Sequence, residues 1–130
     1  MHAAALANHS VRTTSWTGRV LSTIVALFIA FDGVIHVLKP APVAEAFARL
    51  GYPLGVSVGL GLLELAITAL YAIPRTAALG AVLLTGYLGG AVATQVRAGS
   101  TLFEIIFPVI VGALAWGGLA LRDARIRALI

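Results

Sequence analysis

The sequence predicts an all-α integral membrane protein, a four-helix bundle with a short interfacial amphipathic helix between its first and second spans. Hydrophobic residues make up 60% of the 130 residues and charged residues only 11%. The mean hydropathy of +1.01 lies well above that of soluble domains. Four apolar runs are long enough to cross a bilayer, and proline, glycine or charged residues separate them. They cover residues of about 19–38, 54–73, 77–96 and 102–121.

The segment before the first run is polar and rich in small residues. Residues 1–17 show no sustained apolar periodicity, so we expect a flexible cytoplasmic tail. The run that follows is longer than the apolar core of a signal peptide, which predicts an uncleaved span. Residues 18–130 are then expected to form a single membrane domain.

The first span carries two polar residues on one face. Asp32 and His36 are four residues apart, so a helix places them on the same side. A carboxylate near the bilayer centre costs about 3 kcal/mol on insertion scales, and it therefore needs a partner, a proton or a wet cavity. We expect the other spans to supply one.

Two prolines end the first helix. Pro40 lacks an amide donor and moves Lys39 out of helical geometry. Residues 42–50 then read as a short amphipathic helix at the interface, and Gly51 is placed to cap it. We expect residues 42–52, called here the cover segment, to lie over the mouth of the bundle.

The second and third spans are rich in glycine and are joined by a tight turn. Pro74-Arg75-Thr76 is short enough to make these spans antiparallel neighbours. Small residues allow close helix contact, which predicts tight packing of both helices. The glycines concerned are Gly55, Gly59 and Gly61 in the second span and Gly80, Gly86, Gly89 and Gly90 in the third.

The strongly polar residues of the spans fall in one half of the bilayer. At a rise of about 1.5 Å per residue, Asp32 lies about 10 Å and Glu64 about 15 Å below the outer ends of their helices. No comparable group falls in the inner half, so a polar cavity is expected under the cover segment. The predicted ligand-binding residues are Asp32, His36, Glu64, Thr94 and Gln95.

These residues have a chemical and a structural interpretation. Two desolvated carboxyl groups cannot easily both ionise, so Asp32 and Glu64 would share a proton if they are close. His36 would act as a base, a proton relay or a hydrogen-bond donor to a carbonyl ligand such as a quinone. The structural alternative is that all of them only form hydrogen bonds between helices.

Ion pairs and interfacial anchors account for other polar residues. Glu45 and Arg49 are spaced to pair within the amphipathic helix, and Glu104 is expected to pair with Arg97 across the loop between the third and fourth spans. Aromatic residues near the ends of spans are typical interfacial anchors. These are Trp16, Tyr52, Tyr71 and Trp116.

Several kinds of site are disfavoured. The chain has no cysteine, which excludes disulfides, thiolate metal sites and cysteine nucleophiles. Asp32, His36 and Glu64 are types that bind metals, but no metal-binding motif accompanies them, and we predict no metal site. The net charge of +4 comes from basic residues at the ends of apolar runs, so no nucleic-acid partner is expected.

The basic residues also predict the orientation. The tail, the turn between the second and third spans and the C-terminus hold six of the nine arginines and lysines. Because cytoplasmic segments are enriched in these residues, both termini are expected in the cytoplasm.

Several short motifs, weak singly, together point to a known family. They are Phe31-Asp32-Gly33, Lys39-Pro40-Ala41-Pro42, Gly51-Tyr52-Pro53, Gly61-Leu62-Leu63-Glu64, Ile73-Pro74-Arg75-Thr76, Thr85-Gly86-Tyr87-Leu88-Gly89-Gly90-Ala91-Val92-Ala93-Thr94, Phe107-Pro108 and Trp116-Gly117-Gly118. The chain resembles the DoxX-like family of small four-span membrane proteins from its first span to its C-terminus. The resemblance implies a four-helix bundle in the bacterial inner membrane.

The resemblance also carries an expectation about function. The wider family looks linked to quinone-coupled oxidation of sulfur compounds and to membrane assemblies with redox-protective enzymes. This chain departs from the pattern in one respect, because Gln95 stands where relatives commonly have histidine, while His36 stands where a lysine or an apolar residue is expected. If the histidine of the relatives transfers protons, Gln95 does not supply that function at position 95, and His36 on the first helix would have to supply it instead.

Three functions follow as hypotheses. The first is an accessory protein or subunit of a membrane redox system that binds a quinone or similar lipophile in the cavity, with a membrane or peripheral redox enzyme as partner. The second is a non-catalytic scaffold whose buried acids hold the bundle together. The third is a small proton-linked transporter, which would have to act as a homo-oligomer because four spans without a repeat do not make a transport path. No catalytic residue is assigned.

Overall fold

The computed structural model describes residues 2–130, and every regular element in this range is helical. The elements are α1 (His2–Leu38), α2 (Ala41–Leu50), α3 (Val56–Ala72), α4 (Ala77–Arg97), α5 (Leu102–Arg122) and α6 (Ala124–Arg127). Three of them, α1, α4 and α5, are long and apolar enough to cross a membrane, and α3 is a shorter apolar helix of 17 residues. The predicted all-α membrane bundle is confirmed.

The four apolar helices α1, α3, α4 and α5 form a ring. Helix α1 packs against α3 and α5, and α4 packs against the same two helices, so α1 and α4 stand at opposite corners. The predicted contact between the second and third spans is therefore confirmed as the contact between α3 and α4. We call the end that carries α2 the cover end and the opposite end, which carries α6, the terminal end. Aliphatic side chains fill the middle, among them Val25, Ile29, Ile67, Leu84, Val111 and Leu119.

Two glycines allow α1 and α3 to cross closely. A Cβ atom on Gly61 would lie 2.5 Å from the carbonyl oxygen of Gly33 and 2.9 Å from the Cβ of His36. The hydroxyl of Ser57, which is fully buried, donates a 2.6 Å hydrogen bond to the backbone oxygen of His36 at the same crossing. Since Gly61 lies one turn before Glu64, this crossing fixes the positions of the polar residues on both helices.

The glycines of α4 behave differently from the prediction. Gly80 packs against the backbone of Tyr71, but a Cβ atom on Gly86, Gly89 or Gly90 would meet no other atom within 4 Å, because these three glycines face open space. The expectation that α4 packs tightly along its length is therefore wrong. Its glycine-rich part instead leaves room beside the helix.

The connection between α1 and α3 follows the predicted pattern. Lys39 has a φ of 53°, which ends α1 before Pro40, and Gly51 has a φ of 81° at the end of α2. The backbone N–H of Gly51 donates to the carbonyl of Ala48, as a C-terminal glycine cap does. Phe47 is buried on the inner face of α2.

Helix α1 begins earlier than predicted. The helix is continuous from His2 and so includes residues 2–17 of the predicted tail, while Met1 lies outside the described residues. That this part of the chain is flexible and cytoplasmic stays a prediction. The alanines near the start have high helix propensity, and the Thr13 and Thr17 hydroxyls donate to backbone carbonyls four residues earlier. These threonines satisfy their polar groups without interrupting the helix.

A polar network lies in the terminal half, where none was expected. Tyr71 was predicted to be an interfacial anchor, but it is only 2% exposed. Its hydroxyl donates 2.7 Å to the carbonyl of Ala115 on α5 and lies 3.1 Å from the hydroxyl of Ser22 on α1. Tyr71 therefore ties α3 to both α1 and α5. The prediction that polar groups occupy one half of the bundle is wrong in this respect.

Candidate functional site

A cavity of about 450 Å³ lies at the cover end, enclosed by α1, α3, α4 and α5 and covered by α2. Most of its wall is apolar or aromatic, with Phe28, Phe47, Leu60, Phe107 and Val111 among the lining side chains. The five residues predicted to bind a ligand all line it: Asp32, His36, Glu64, Thr94 and Gln95. The structure thus brings together residues from three helices, as the depth estimate suggested.

Three of these residues form a polar cluster between α1 and α3. The Nδ1 atom of His36 lies 3.1 Å from Oε2 of Glu64 and 3.5 Å from Oδ2 of Asp32. The ring and the two carboxyl groups each offer an atom within 4.8 Å of the others. We call Asp32, His36 and Glu64 the acid–histidine cluster.

The members of the cluster differ in exposure. The Glu64 side chain is 1% exposed, whereas that of Asp32 is 34% exposed. Glu64 therefore lies at the deep side of the cluster and Asp32 at the open side. A group that enters the cavity meets the Asp32 carboxyl in the accessible part of its wall.

One oxygen of Glu64 lacks a hydrogen bond. His36 donates its Nδ1–H to the backbone oxygen of Asp32 at 2.7 Å. Oε2 of Glu64 has no hydrogen-bond partner among residues 2–130, although it lies 3.1 Å from this Nδ1 atom. A buried carboxyl oxygen without a partner costs about 1 to 3 kcal/mol or more, so the site retains unused hydrogen-bonding capacity.

The same hydrogen bond bears on metal binding. The two carboxyl groups and the imidazole are suitable donors for a divalent cation. The hydrogen bond from Nδ1 to the Asp32 carbonyl leaves the lone pair of the neutral imidazole on Nε2, so a cation would bind His36 through Nε2.

The other two predicted residues connect the cavity to its cover. The hydroxyl groups of Tyr52 and Thr94 are 3.1 Å apart, joining the end of the cover segment to α4. Gln95 accepts a hydrogen bond from the Ser100 hydroxyl through Oε1 at 2.5 Å. The amide nitrogen of Gln95 has no hydrogen bond to another described residue, so it is the group that remains for a ligand.

The cover segment is also bound to the loop between α4 and α5. Arg49 donates to the Ser100 hydroxyl at 2.8 Å and to the Glu104 carboxylate at 3.2 Å. The predicted pairs of Arg49 with Glu45 and of Glu104 with Arg97 are therefore wrong. Arg97 instead makes a long contact of 3.4 Å to the carbonyl of Leu50. All three interactions hold α2 over the cavity.

Two structural features of this region were not predicted, although the sequence contains a pattern for each. Thr101 and Glu104 form a reciprocal capping box at the start of α5, and the Thr-x-x-Glu spacing is its known signature. Tyr87 lines the cavity but was not named as a site residue. It lies seven residues before Thr94 on α4, and this two-turn spacing places both on one helix face.

Comparison with known protein families matches residues 20–118 to the DoxX-like family. The matched range begins at the second residue of the first predicted span and includes every residue of the cavity wall. No curated protein matches the chain. No solved structure matches it either.

Proposed function

This chain belongs to the DoxX-like family, and on that premise we propose that it binds a quinone-like lipophilic ligand in the cavity at the cover end. It would serve as an accessory protein or subunit of a membrane redox system. We also propose that it lies in the bacterial inner membrane, as the family resemblance implies, with both termini in the cytoplasm, as the distribution of basic residues predicts.

The observation that carries the proposal is the buried Glu64 carboxyl group beside an apolar cavity. Its Oε2 has no hydrogen-bond partner among the described residues, and Glu64, His36 and Asp32 line the same space. A carboxyl group used only to join helices would be expected to have all its hydrogen bonds formed within the protein. An unfilled acceptor beside a cavity instead favours a ligand that completes the site.

The cavity has a suitable size and lining for this class of ligand. Its volume of about 450 Å³ falls within the 300 to 1,000 Å³ typical of sites for small molecules. Phe28 and Phe107 meet edge to face with their centroids 5.5 Å apart, and both rings line the wall. A flat, lipophilic ring fits an aromatic wall of this kind, while its carbonyl oxygens need the few polar groups nearby.

The residues would hold the ligand and exchange protons with it. Reduction of a quinone to a quinol consumes two electrons, supplied by a partner redox enzyme, and two protons. Asp32 and His36 are the more exposed members of the cluster, so they would exchange protons with the ligand and the surroundings. Glu64, whose Oε2 has no hydrogen-bond partner among the described residues, would accept a hydrogen bond from a quinol hydroxyl, and the Gln95 amide would donate to a carbonyl oxygen.

A specific contact favours the scaffold hypothesis as a second candidate. His36 on α1 and Glu64 on α3 meet at 3.1 Å, beside the hydrogen bond from Ser57 to the His36 carbonyl. A cluster that joins two helices stabilises the bundle even without a ligand. The two candidates differ in what removal of the carboxylates should do.

The first test identifies molecules that copurify with the protein. The protein is purified in mild detergent, extracted with organic solvent, and the extract is compared by mass spectrometry with that of Asp32→Asn and Glu64→Gln variants. The proposal expects a quinone or similar lipophile in the wild type and its loss from variants that remain folded. If no lipophile is enriched in the wild type and the variants are only less stable, the scaffold hypothesis replaces it.

A second pair of variants tests the cavity without changing any polar group. Gly90 lines the cavity and Gly89 does not, yet both have open space where a side chain would begin. Gly90→Leu should fill part of the cavity and remove the copurifying ligand. Gly89→Leu, one residue away on the same helix, should retain it. Equal ligand content in the two variants would contradict the proposed location.

A further inference from the structure

A second, smaller cavity lies at the terminal end, on the other side of the aliphatic core from the acid–histidine cluster. Its volume is about 160 Å³. It is lined by Arg19, Pro74, Ala77, Leu119, Arg122 and Asp123. We call it the arginine pocket. None of its residues lines the cavity at the cover end, so the two sites are independent.

Arg122 is held rigidly at this pocket. Its Nη2 atom donates a 2.6 Å hydrogen bond to the backbone oxygen of Tyr71, and its guanidinium carbon lies 4.8 Å from the centre of the Tyr71 ring. The Nε atom is buried and has no hydrogen-bond partner among residues 2–130. With Nη2 fixed on Tyr71, the Arg122 guanidinium keeps its positive charge and further N–H donors at the pocket wall, and these are the groups that bind anions.

The second arginine of the pocket is not neutralised by the protein. The Arg19 side chain makes no hydrogen bond and no ion pair with any residue in the described range 2–130. Asp123 is the acidic residue in the pocket wall, but its two carboxylate oxygens receive hydrogen bonds from the Arg125 side chain at 3.2 and 3.0 Å. These bonds hold the pKa of Asp123 below its usual value. The pocket therefore keeps an excess of positive charge.

The start of α4 adds to this positive potential. Ala77 is the first residue of the helix and lines the pocket. The hydroxyl of Thr76, which precedes it, donates to the Leu70 carbonyl at 2.7 Å and does not cap the helix. The N–H groups of the first turn thus lack a side-chain acceptor, and the helix dipole favours an anion at this end.

We propose that the arginine pocket binds a phosphate group, with Arg19 and Arg122 as the charged ligands and the start of α4 as a further donor. A water molecule accounts for about 30 Å³ in the liquid, so a pocket of about 160 Å³ holds roughly five waters or a single phosphate group. The phosphate would belong to an anionic lipid headgroup or to a free phosphate ion. The pocket lies where the basic residues predict the cytoplasmic membrane surface, at which anionic lipids are abundant.

Native mass spectrometry of the full-length protein tests the proposal. The protein in neutral detergent is titrated with short-chain phosphatidylglycerol, with phosphatidylcholine of the same chain length, and with inorganic phosphate. Arg19→Gln and Arg122→Gln each remove one of the two charged side chains proposed to bind the phosphate group. Arg75→Gln serves as the matched control, because Arg75 lies in the neighbouring turn but does not line the pocket.

The expected result is a retained phosphatidylglycerol adduct whose affinity falls at least about fivefold in Arg19→Gln and in Arg122→Gln, the size expected for one basic residue at an anionic surface. Arg75→Gln should leave the affinity unchanged. Displacement of this adduct by millimolar phosphate would identify the free ion as the ligand instead of the lipid.

Equal weakening by all three variants would overturn the proposal, because it would show diffuse attraction to a basic surface. Equal retention of phosphatidylcholine and phosphatidylglycerol in every variant would overturn it as well. Arg122→Gln also removes the contact with Tyr71 and is therefore the variant more prone to unfold. Arg19 makes no such contact, so Arg19→Gln provides the test if Arg122→Gln does not fold.

Discussion

The close crossing of α1 and α3 predicts a large difference between two neighbouring glycines. A Cβ on Gly61 would lie 2.5 Å from the Gly33 oxygen and 2.9 Å from the Cβ of His36, whereas a Cβ on Gly59 would meet nothing within 4 Å. Non-bonded heavy atoms normally lie about 3.5 to 4.0 Å apart. Gly61→Ala must therefore move α1 and α3 apart by about 1 Å, and Gly59→Ala should move neither helix.

The magnitude follows from the contacts that this separation weakens. A gap of about 0.5 to 1 Å forfeits a quarter to a half of the dispersion energy across the crossing. The hydrogen bond from Ser57 to the His36 carbonyl is 2.6 Å long, and a further 1 Å would take it outside hydrogen-bonding range. Overpacking of this kind typically costs about 1 to 3 kcal/mol. Both alanines gain the same helix propensity, so the difference between the variants reports packing alone.

Reversible unfolding in mixed micelles with increasing SDS measures this difference. We expect Gly61→Ala to be less stable than Gly59→Ala by about 1 to 3 kcal/mol. It should also lose the ligand sought in the first test, because His36 and Glu64 move apart with the helices. Stabilities that agree within about 0.5 kcal/mol, the usual error of additivity, would refute the inferred crossing.

Three further predictions follow from the hydrogen bonds and ion pairs. Tyr71→Phe should destabilise the bundle by about 0.5 to 1.5 kcal/mol, because the hydrogen bond between α3 and the Ala115 carbonyl of α5 is lost. The same unfolding assay should show a smaller loss for Tyr52→Phe, whose hydroxyl is exposed. A double-mutant cycle between Arg49 and Glu104 should give a coupling energy of about 0.2 to 1 kcal/mol that falls with added salt, since both side chains are partly exposed. A coupling energy of zero at low salt would contradict the ion pair between these residues. The pKa of Asp123 is lower in the folded protein than in the unfolded chain. Asp123 therefore stabilises the fold above its unfolded-state pKa, and this stabilisation is lost as the pH falls through its folded-state pKa. Unfolding curves measured in acid should show a smaller dependence of stability on pH for Asp123→Asn than for the wild type.

The candidate site was predictable in its residues more than in its contacts. Asp32, Glu64 and Gln95 stand out because polar side chains are rare in apolar spans, and depth along each helix follows from a constant rise per residue. The turn at residues 74–76 likewise required α3 and α4 to be neighbours. These properties depend on local sequence. That Asp32, Glu64 and Gln95 lie around one cavity also depends on which helix faces point toward each other, and the sequence did not specify this.

The errors have a shared physical cause. Arg49 pairs with Glu104, 55 residues away, although Glu45 lies one turn from it, because tertiary packing places the cover segment over the start of α5. Tyr71 has the composition of an interfacial anchor, yet it is buried because α1 and α5 close over it and supply partners for its hydroxyl. The rotation of each helix about its own axis decides these contacts, and the apolar periodicity of a lipid-facing helix specifies that rotation weakly.

By itself the sequence determined the membrane-spanning class, the number of apolar helices, the breaks at Pro40 and Pro74 and the polar residues that need an explanation. Each of these depends on hydropathy or on backbone chemistry within a few residues. The tertiary structure alone decided that Gly33 and Gly61 form the crossing, that Gly86 and Gly90 leave a cavity open, and that Arg19 and Arg122 share a pocket. These features depend on distances between helices, which close contacts between backbones set and which no single stretch of chain encodes.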